Sequence, residues 1–465
     1  MMFTVNEIAI ATGGRIIGLA DGEIDSISTD SRSAAPGQLF VPLRGERFDG
    51  HSFIQDVAER GVTTILAEER WLKQNPIHQS TTCIAVKNTL HALGDLAAVW
   101  RQRFELPMIG VTGSNGKTTV KEMLGTILDL TGPGLKTSGN LNNLIGLPQM
   151  LFQLRQEHRW AVLEMGMSEP GEIDRLAAIA KPSVGIVLNA LPAHLQSMGT
   201  VEAVAAAKGE LLHRISDGGL AVVNADDSRV ASLSQNPSAR RISFGIDRGE
   251  VRARDIEPLG LDGQRFRLVT PHGEATVHLQ ACGRHNVYNA LAAASALLEK
   301  VPLPTIVAGL EAFTPYQGRF RIERLGGITL IDDSYNANPA STKAALETLH
   351  QIAAEGHRIA VLGDMLELGE RESEAHRCVG AVAGRNVDRL YLLGELMTQH
   401  TAEGAVLAEM PADAVICCAS HGEIAGHLHQ ALADGDVILI KGSRGMTMEK
   451  VAAELRSMIQ HAKGE

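Results

Sequence analysis

The sequence contains few aromatic residues and no excess of positive charge. Phe, Trp and Tyr make up 4% of the 465 residues, and the formal net charge is −11. Nucleic-acid-binding proteins usually present a basic face, and those that bind single strands also stack bases on aromatic rings. The composition therefore argues against a nucleic-acid partner, although an acidic total is still compatible with a local basic patch.

Cysteine is also scarce, and no two cysteines have the spacing of a metal site. The five cysteines are scattered along the chain: Cys83, Cys282, Cys378, Cys417 and Cys418. The last two are adjacent within an apolar run that predicts a β-strand. We interpret all five as reduced side chains that serve as small apolar residues.

The sequence lacks a long apolar run as well. A helix needs about 20 apolar residues to span a bilayer, and no apolar run in the sequence approaches that length. Met1 to Ala11 contain neither a basic start nor a long apolar stretch, so we expect no signal peptide. We expect a cytoplasmic protein with no membrane span, and we take the chain to be a monomer.

The most informative segment, Ile109 to Thr119, reads Ile-Gly-Val-Thr-Gly-Ser-Asn-Gly-Lys-Thr-Thr. An apolar run, Pro107 to Val111, predicts a buried strand, and helical spacing begins at Lys117. A glycine loop between a strand and a helix places backbone N–H groups and the helix N-terminus around an anion. Lys117 adds a mobile positive charge, and Thr118 offers a hydroxyl to Mg²⁺. We therefore predict that the chain binds a nucleoside triphosphate.

This loop is shorter than the usual phosphate-binding loop. The usual loop has a glycine five residues before the glycine that precedes the lysine, and Val111 occupies that place here. The remaining pattern is Gly-x-x-Gly-Lys-Thr, with Gly113 and Gly116 as its glycines. The alternative is a glycine turn with an incidental lysine. It is disfavoured by the strand before the loop and the helix after it.

At 465 residues the chain is too long for a single core. We predict three α/β domains, at residues 1–87, 88–316 and 317–465. The first is small, and the second is built on a parallel sheet with an antiparallel excursion over Arg252 to Leu279. The third alternates strands and helices as a doubly wound, Rossmann-like unit does. A dinucleotide-binding domain is its rival, but no Gly-x-Gly-x-x-Gly follows any of its predicted strands.

Two polar residues follow predicted strands of the middle domain. Glu164 ends a strand that begins at Trp160, and His194 lies in the loop after the strand Val184 to Asn189. The C-terminal ends of parallel strands form the ligand crevice of such sheets, where carboxylates hold Mg²⁺. We predict a metal ligand at Glu164 and a candidate ligand at His194. The alternatives are a surface glutamate and a solvated histidine.

Lys208 lies in an alanine-rich predicted helix that begins at Val201. The alanines predict close packing, in which a bare ammonium group is costly to bury. A desolvated lysine loses its proton more readily and becomes reactive. The alternative is a solvated helical lysine, which composition alone favours.

A predicted helix that starts at Gly283 carries Asn286 and Asn289. The two asparagines are three residues apart and therefore share one face of the helix. Their amides could read the edge of an adenine. The alternative is that Asn286 caps the helix, and the sequence alone slightly favours that alternative.

The loop Asp332-Asp-Ser-Tyr-Asn-Ala-Asn-Pro339, after the predicted strand Ile328 to Ile331, is crowded with polar groups. It holds two acids, two amides, a hydroxyl and a phenol, whereas a turn needs only one or two such groups. We therefore predict that the loop contacts a ligand. Arg319 lies at the predicted junction of the second and third domains. From there an arginine could reach phosphate oxygens when the domains close.

In this order, these elements resemble the Mur ligase family, the ATP-dependent amide-bond-forming enzymes of peptidoglycan precursor synthesis. The resemblance covers essentially the whole chain, and the joint pattern is far more specific than any one part. It includes the glycine loop, the segments around Glu164, His194 and Lys208, Gly283-Arg-His-Asn-Val-Tyr-Asn-Ala290 and the Asp332 loop.

Within the family the chain is most similar to members that join D-alanyl-D-alanine to UDP-N-acetylmuramoyl-tripeptide. Thr29-Asp-Ser-Arg32, Leu39-Phe-Val-Pro-Leu-Arg-Gly45 and Phe48-Asp-Gly-His51 are similar to their UDP-sugar domain. Gly139 to Pro148 and Gly363 to Gly369 are similar to their other signatures. Members that add diaminopimelate or lysine carry an Asp-Asn-Pro-Arg motif, which this sequence lacks.

The resemblance implies a role for each matching residue. The glycine loop cradles the ATP phosphates, and Asn286 and Asn289 contact adenine. The residues implied to bind ATP are Gly113, Ser114, Asn115, Gly116, Lys117, Thr118, Thr119, Asn286, Asn289, Arg319, Asp333, Tyr335 and Asn338. The residues implied to bind the other substrates are Ser31, Arg32, Arg44, Gly45, Asn140, Asn143 and Asn336.

The resemblance also implies two Mg²⁺ ions. Thr118 and Glu164 hold one ion, and His194 serves the second. Lys208 matches the family lysine that becomes carbamylated, which turns an ammonium into a carboxylate-like ligand for the second ion. Lys117, Glu164, His194 and Lys208 are therefore the implied catalytic residues.

The implied reaction has two steps. The terminal carboxylate of the UDP-muramoyl peptide attacks the γ-phosphate of ATP, which forms an acyl phosphate and ADP. The amine of the dipeptide then attacks that carbonyl and expels phosphate. The alternatives are a Mur-type ligase that adds one amino acid, a P-loop switch or kinase, and a noncatalytic scaffold. A folylpolyglutamate synthase has a similar central domain, but its lineage lacks the N-terminal UDP-binding domain.

Overall fold

The computed structural model describes residues 1–45, 48–77, 81–192 and 195–461. The chain forms two compact units. The first unit comprises Met1–Gly110, Pro133–Met167 and Gly171–Ser183. The second unit comprises Val111–Gly132, Ser168–Pro170 and Val184–Glu465. Within the described ranges, no helix is long and apolar enough to cross a membrane.

The chain up to Arg101 alternates short strands and helices. Its strands are β1 (Phe3–Thr4), β2 (Arg15–Ile17), β3 (Glu23–Ile24), β4 (Ser26–Ser28), β5 (Gln38–Phe40), β6 (Thr64–Glu68) and β7 (Thr82–Val86). Its helices are α1 (Val5–Thr12), α2 (Ile54–Glu59), α3 (Glu69–Leu72) and α4 (Thr89–Arg101).

The middle of the chain contains longer helices and an extended run of strands. Its strands are β8 (Met108–Thr112), β9 (Leu135–Lys136), β10 (Ala161–Glu164), β11 (Val184–Val187), β12 (Leu220–Asn224), β13 (Arg240–Gly245), β14 (Val251–Pro258), β15 (Gln264–Thr270) and β16 (Gly273–Leu279). Its helices are α5 (Lys117–Asp129), α6 (Gly146–Leu151), α7 (Glu172–Ala180), α8 (Leu195–Met198), α9 (Val201–His213), α10 (Ser228–Ala231), α11 (Arg284–Leu297) and α12 (Leu303–Ala312).

The last part of the chain alternates strands and helices regularly. Its strands are β17 (Arg321–Leu325), β18 (Ile328–Asp333), β19 (Arg358–Gly363), β20 (Arg389–Leu393), β21 (Val415–Cys418) and β22 (Val437–Lys441). Its helices are α13 (Pro339–Gln351), α14 (Glu372–Asn386), α15 (Ala402–Leu407), α16 (His421–Ala431) and α17 (Glu449–His461).

In the first unit, β4, β5, β6 and β7 form a parallel sheet, and β2 adds to β7 in the antiparallel direction. Every residue of β6 and β7 is buried, as expected when helices cover a parallel sheet. The apolar core on one side of this sheet includes Phe40, Ile65 and Cys83. The short strands β9 and β10, also in this unit, are parallel neighbours.

In the second unit, β11, β12, β13 and β14 are parallel neighbours, and β15 and β16 continue the sheet in the antiparallel direction. The antiparallel excursion predicted over Arg252 to Leu279 is therefore confirmed. Helix α11 packs against β12, β13 and β14, and it also contacts α5. Eleven of its residues are buried, including Asn286 and Asn289. This packing fixes the face of α11 that carries the two asparagines.

The last sheet has the order β17-β18-β22-β19-β20-β21. All neighbouring pairs are parallel except β17 with β18, which is antiparallel. The apolar strands β18, β19, β20 and β22 are buried between two clusters of helical side chains. The Rossmann-like prediction for this part is confirmed. The exact limits 1–87, 88–316 and 317–465 remain a prediction.

The cysteines divide into two groups. Cys83, Cys282 and Cys418 are buried, and burial raises the pKa of the Cys83 thiol to about 12. These three fit the interpretation as small apolar residues. Cys378 and Cys417 are also free thiols but are exposed. Their interpretation as packed apolar residues is therefore wrong, because the helix and strand that carry them turn those positions toward solvent.

Candidate active site

The glycine loop has the geometry of an anion cradle. Helix α5 begins at Lys117, and its N-cap is Gly116 with a φ of 89°, a left-handed conformation that glycine adopts without strain. A Cβ at Gly116 would lie 2.4 Å from Oδ1 of Asn289, and one at Gly113 would lie 2.8 Å from Cβ of Leu188. Both glycines are therefore required by close packing, and the N-terminus of α5 is left open to an anion.

Hydrogen bonds from the loop after β11 hold the glycine loop in shape. The side-chain oxygen of Asn189 accepts a hydrogen bond from the Asn115 N–H (2.9 Å), and its Nδ2 donates to the Asn115 carbonyl (3.1 Å). The Ser114 hydroxyl donates to the Leu191 carbonyl (3.0 Å) and accepts from the Leu191 N–H (3.0 Å). The cradle is thus preorganised by contacts within the second unit.

Two lysines of the second unit differ in their surroundings. Nζ of Lys117 donates to the Gly113 carbonyl (2.7 Å), which keeps the ammonium on the loop. Lys208, on α9, is 2% exposed. Burial, reinforced by the positive charge of Lys117, lowers the pKa of Lys208 well below its usual value. The alternative of a solvated helical lysine is wrong, because α9 packs Lys208 inward.

Asn286 and Asn289 are both 6% exposed on α11. Nδ2 of Asn286 donates to the Cys282 carbonyl (2.8 Å), and Nδ2 of Asn289 donates to Oδ1 of Asn286 (3.0 Å). The N-cap of α11 is Gly283, without a side-chain cap. The alternative that Asn286 caps the helix is therefore wrong, because Asn286 lies within the first turn rather than before it.

Asp226, after β12, connects the loop at residues 246–248 to helix α11. Its carboxylate accepts backbone hydrogen bonds from Ile246, Asp247 and Arg248 (2.7–3.0 Å) and a hydroxyl hydrogen bond from Tyr288 (2.9 Å). Partial burial raises the pKa of the Asp226 carboxyl, but these hydrogen bonds outweigh it and hold the pKa below its ordinary value. Asp226 thereby ties a loop to the helix that carries the two asparagines.

The polar loop after β18 is held by a buried lysine. Nζ of Lys441 contacts Oδ2 of Asp333 (2.6 Å) and donates to the Asn336 carbonyl (2.9 Å). Oδ1 of Asp333 accepts a hydrogen bond from the Phe320 N–H (3.1 Å). Lys441 is 2% exposed, so this ion pair lies within the fold and fixes the loop to β22.

Arg319 and Asn338 reach the glycine loop from the last part of the chain. The Arg319 guanidinium stacks on the Tyr335 ring, 4.2 Å from its centroid, and Nη2 of Arg319 lies 3.4 Å from Oγ1 of Thr118. Nδ2 of Asn338 donates to Oδ1 of Asn115 (2.6 Å). Arg319 therefore lies beside the glycine loop, and its contact with phosphate oxygens stays a prediction.

These residues surround a cavity of about 520 Å³, a size typical of sites for small-molecule ligands. Its wall includes residues 114–119 of the glycine loop and both asparagines of α11. Among the other predicted residues, it is also lined by Arg319, Asp333, Asn336 and Asn338. Gly113 and Tyr335 do not line the cavity themselves but adjoin or contact residues that do, and the charge of Lys117 acts on the buried Lys208. The cavity is thus lined both by N–H groups at the start of α5, which suit an anion, and by buried amides, which suit a base edge.

Glu164 belongs to the first unit, where it ends β10. It is 1% exposed, and its N–H donates to Oγ1 of Thr137 (2.9 Å). Its Oε1 has no hydrogen-bond partner among the described residues. A buried carboxylate oxygen without a partner is costly unless a cation or donor completes it, so Glu164 suits Mg²⁺. The alternative of a surface glutamate is wrong, because the strand buries this position.

The predicted UDP-sugar residues of the first unit are surface-accessible and partly paired. The Arg32 guanidinium makes two hydrogen bonds to Asp30 (2.8 and 2.9 Å), and Ser31 accepts one from Arg60 through its carbonyl. Arg44 contacts Asp49 (3.3 Å) and the buried Glu68 (3.2 Å). An arginine that is already held in place loses little freedom when it binds an anion.

The remaining predicted positions lie in turns or outside the described ranges. Oδ1 of Asn143 accepts hydrogen bonds from the N–H groups of Ile145 and Gly146 at the start of α6. Asn140 is exposed, and Gly45 closes a turn with Phe48. His194 lies outside the described residues.

Sequence reasoning missed several residues that shape the cavity. They are Asn189, Asn224, Asp226, Asp227 and Lys441, all of which line it. Asn224 to Asp227 read Asn-Ala-Asp-Asp and begin at the last residue of β12. A polar cluster at the end of a parallel strand is the signal that could have found them. Lys441 ends an apolar strand and offered no comparable signal.

Three family models match successive parts of the chain. The Mur ligase family, catalytic domain, matches residues 23–101. The Mur ligase middle domain matches residues 111–297, and the Mur ligase, glutamate ligase domain, matches residues 318–444. The order and number of these matches agree with the predicted three-domain architecture.

Full-length relatives and solved structures agree with the family models. The chain is 35% identical to the UDP-N-acetylmuramoyl-tripeptide--D-alanyl-D-alanine ligase of Escherichia coli (strain K12), over 97% of this chain and 98% of that protein. A crystal structure of MurF from Acinetobacter baumannii is 35% identical with a TM-score of 0.89, covering 98% of this chain and 99% of that one. MurF from Thermotoga maritima, in complex with ADP, is 28% identical with a TM-score of 0.82, covering 94% and 98%. This chain therefore belongs to the Mur ligase family.

Proposed function

We propose that this chain is the ATP-dependent ligase that joins D-alanyl-D-alanine to UDP-N-acetylmuramoyl-tripeptide in peptidoglycan precursor synthesis. The observation that carries this assignment is the likeness, over nearly the whole length of both chains, to a relative named for that reaction. A likeness confined to the nucleotide-binding part would have left the identity of the two other substrates undetermined.

ATP binds in the cavity of the second unit. The N–H groups at the start of α5 and the Lys117 ammonium neutralise the phosphate oxygens, and Arg319 adds charge from the opposite wall. Asn286 and Asn289 offer amide groups to adenine. In phosphoryl transfer, positioning and electrostatic stabilisation supply most of the catalysis. The terminal carboxylate of the muramoyl peptide attacks the γ-phosphate, and the resulting acyl phosphate is then attacked by the dipeptide amine.

Thr118 and Glu164 are the residues that would hold Mg²⁺, and the unpartnered Oε1 of Glu164 supports that role. His194 and Lys208 would serve a second ion. When bound, the cations neutralise charge on the phosphate oxygens during transfer. The protein itself positions these oxygens through the glycine loop and keeps Lys117 within reach of them.

Lys208 is suited to carbamylation because burial favours its neutral amine. The amine nitrogen forms a bond to the carbon of CO₂ and loses one proton, which leaves a carbamate with a single negative charge. Protein NMR with ¹³C-labelled bicarbonate should detect one slowly exchanging carbamate carbon. Lys208→Arg, whose guanidinium stays protonated, should abolish that signal, and a signal that persists in the variant would contradict the assignment.

The other substrates occupy the remaining predicted positions. Ser31, Arg32, Arg44 and Gly45, with Asn140 and Asn143, bind the UDP-muramoyl peptide, and Asn336 contacts the incoming dipeptide. A free α-amino group has a pKa of about 8, so an appreciable fraction of the dipeptide is already nucleophilic near neutral pH. We place the reaction in the cytoplasm, where ATP and the UDP-linked precursor are available.

The decisive experiment measures phosphate release by the purified chain across a panel of co-substrates. We expect turnover only when UDP-N-acetylmuramoyl-tripeptide and D-alanyl-D-alanine are both present, with Mg²⁺ and ATP. Turnover with a single amino acid in place of the dipeptide would favour another Mur-type ligase. Turnover with ATP alone would favour a switch or kinase and overturn the proposal. Running the panel with diaminopimelate- and lysine-containing tripeptides identifies the preferred third residue.

A further inference from the structure

Three side chains with metal-ligand chemistry meet in the last part of the chain, at the C-terminal end of β21. Cys418 is the last residue of β21, and Glu423 and His427 lie four residues apart on α16 and so share one face. The thiol sulfur, a carboxylate oxygen and an imidazole nitrogen all lie within 4.8 Å of one another. Neither the nucleotide cavity nor the predicted substrate positions include any of these three residues.

The separation of the two strongest ligands fits a single cation. Sγ of Cys418 lies 3.9 Å from Nδ1 of His427. Tetrahedral zinc, with bonds of about 2.3 Å to sulfur and about 2.0–2.1 Å to nitrogen, places the two atoms about 3.6 Å apart. The observed separation exceeds that value by about 0.3 Å, so a bound cation would draw the thiolate and the imidazole slightly together.

The exposure of the three groups also suits a cation that arrives from solvent. Cys418 is 6% exposed, whereas Glu423 and His427 are exposed. Oε2 of Glu423 accepts a hydrogen bond from the Ala419 N–H (2.7 Å), which anchors the carboxylate beside the strand end. Helix capping is already provided by the Ser420 side chain, so capping does not account for His427 or for the thiol. Because Glu423 and His427 are exposed, solvent water has access to the three groups.

The chemistry of this donor set selects the type of cation. A thiolate, an imidazole and a carboxylate together suit zinc and similar borderline-soft divalent ions, whereas Mg²⁺ prefers oxygen ligands in octahedral geometry. The site therefore differs in kind from the proposed Mg²⁺ ligands Thr118 and Glu164, neither of which is a thiol. The two kinds of site can be distinguished by the metal ion that they prefer and by the absorption spectrum of a bound metal ion.

We propose that Cys418, Glu423 and His427 form a binding site for a zinc-class divalent cation, with water completing the coordination. A cavity of about 490 Å³ adjoins the site, and its wall includes Cys418, Ala419 and Ser420. A bound cation crosslinks the end of β21 to the first two turns of α16 and so stiffens this wall.

The test uses the full-length chain, reduced and stripped of metal, in excess Mg²⁺. Titration with Zn²⁺ should show one site per chain with a Kd in the micromolar range or tighter. Titration with Co²⁺ should produce a thiolate-to-metal charge-transfer band. Cys418→Ser should abolish the band, and both Cys418→Ser and His427→Gln should weaken Zn²⁺ binding at least tenfold.

Cys417→Ser is the matched control, because Cys417 is the exposed neighbouring thiol on the same strand. It should leave both the band and the Zn²⁺ affinity unchanged. Equal Zn²⁺ affinity in wild type and Cys418→Ser, or loss of the band in Cys417→Ser alone, would overturn the proposal. Glu423→Gln, which keeps the shape of the side chain, provides an independent test if Cys418→Ser folds poorly. The proposal fails if Glu423→Gln binds Zn²⁺ as tightly as wild type.

Discussion

Asn115 and Asn338 lie 223 residues apart in the sequence and are joined by a side-chain hydrogen bond of 2.6 Å from Nδ2 of Asn338 to Oδ1 of Asn115. Asn338 also caps α13, because its Oδ1 accepts a hydrogen bond from the Ser341 N–H (2.9 Å). The Asn338 side chain thus caps the N-terminus of α13 and also binds Asn115 in the glycine loop.

The two roles of Asn338 can be separated by substitution. Asn338→Ser keeps a good N-cap but lacks the amide donor, so we expect a raised KM for ATP and nearly unchanged stability. Asn338→Ala loses both roles and should also lower the free energy of unfolding by about 1 kcal/mol. ATP kinetics and urea unfolding of both variants check this. A normal KM in Asn338→Ser would mean that the amide pair does not position the loop.

Gly116→Ala should abolish nucleotide binding. A Cβ there meets Oδ1 of Asn289 at 2.4 Å in a residue with a φ of 89°, so both the glycine loop and the Asn289 amide must shift. Gly171→Ala is the matched control, because Gly171 also precedes a helix, has a φ of 86° and has no atom within 4 Å of its added Cβ. Both variants carry backbone strain of about 1–2 kcal/mol. Only Gly116→Ala should fail to bind ATP in calorimetry.

Glu164→Gln should remove turnover while leaving the fold intact. The change replaces a carboxylate oxygen that has no partner in the described structure with a neutral amide, so little stabilising contact is lost. We expect a large fall in kcat that higher Mg²⁺ only partly restores, together with an unchanged or slightly raised Tm. Activity equal to wild type at low Mg²⁺ would exclude Glu164 as a cation ligand.

Lys208→Met should remove activity and stabilise the fold at neutral pH in CO₂-free buffer. Burial lowers the pKa of Lys208 in the folded chain, whereas the unfolded chain titrates near 10.4. Between those values the unfolded chain binds more protons, so wild-type stability rises with pH toward about 10.4. The advantage of the methionine variant should therefore shrink as pH rises. Urea unfolding of both proteins over a pH series measures this difference in the free energy of unfolding. A stability advantage of the methionine variant that grows with pH would contradict the burial argument.

Asp226→Asn should weaken ATP binding more than it slows chemistry. The carboxylate accepts three backbone hydrogen bonds and one from the Tyr288 hydroxyl, and a carboxamide cannot accept all of them equally. We expect KM for ATP to rise several-fold with kcat little changed. Tyr288→Phe removes only one of these bonds and should give a smaller rise. An unchanged KM in Asp226→Asn would limit Asp226 to a structural role elsewhere in the loop.

Short-range sequence patterns predicted much of the candidate site. The glycine loop, the strand that ends at Glu164 and the helix of Lys208 are local features, because strand, turn and helix signals lie within a few residues of one another. The strands Arg240–Gly245 and Arg321–Leu325 were not predicted. Their charged residues mask the apolar signal, and only pairing with a neighbouring strand makes them part of a sheet.

The amino-acid sequence alone determined the alternation of most strands and helices, the glycine loop between its strand and helix, and the family, since these depend on neighbouring residues and on motif identity. Only the tertiary structure decided that Lys208 and Glu164 are buried, that Asn338 meets Asn115, and that Cys418 meets His427. Burial and side-chain contacts depend on how distant segments pack, and desolvation and hydrogen bonding then set the chemistry of each group. The spacing of residues in the sequence gives no direct information on burial or on contacts between distant side chains.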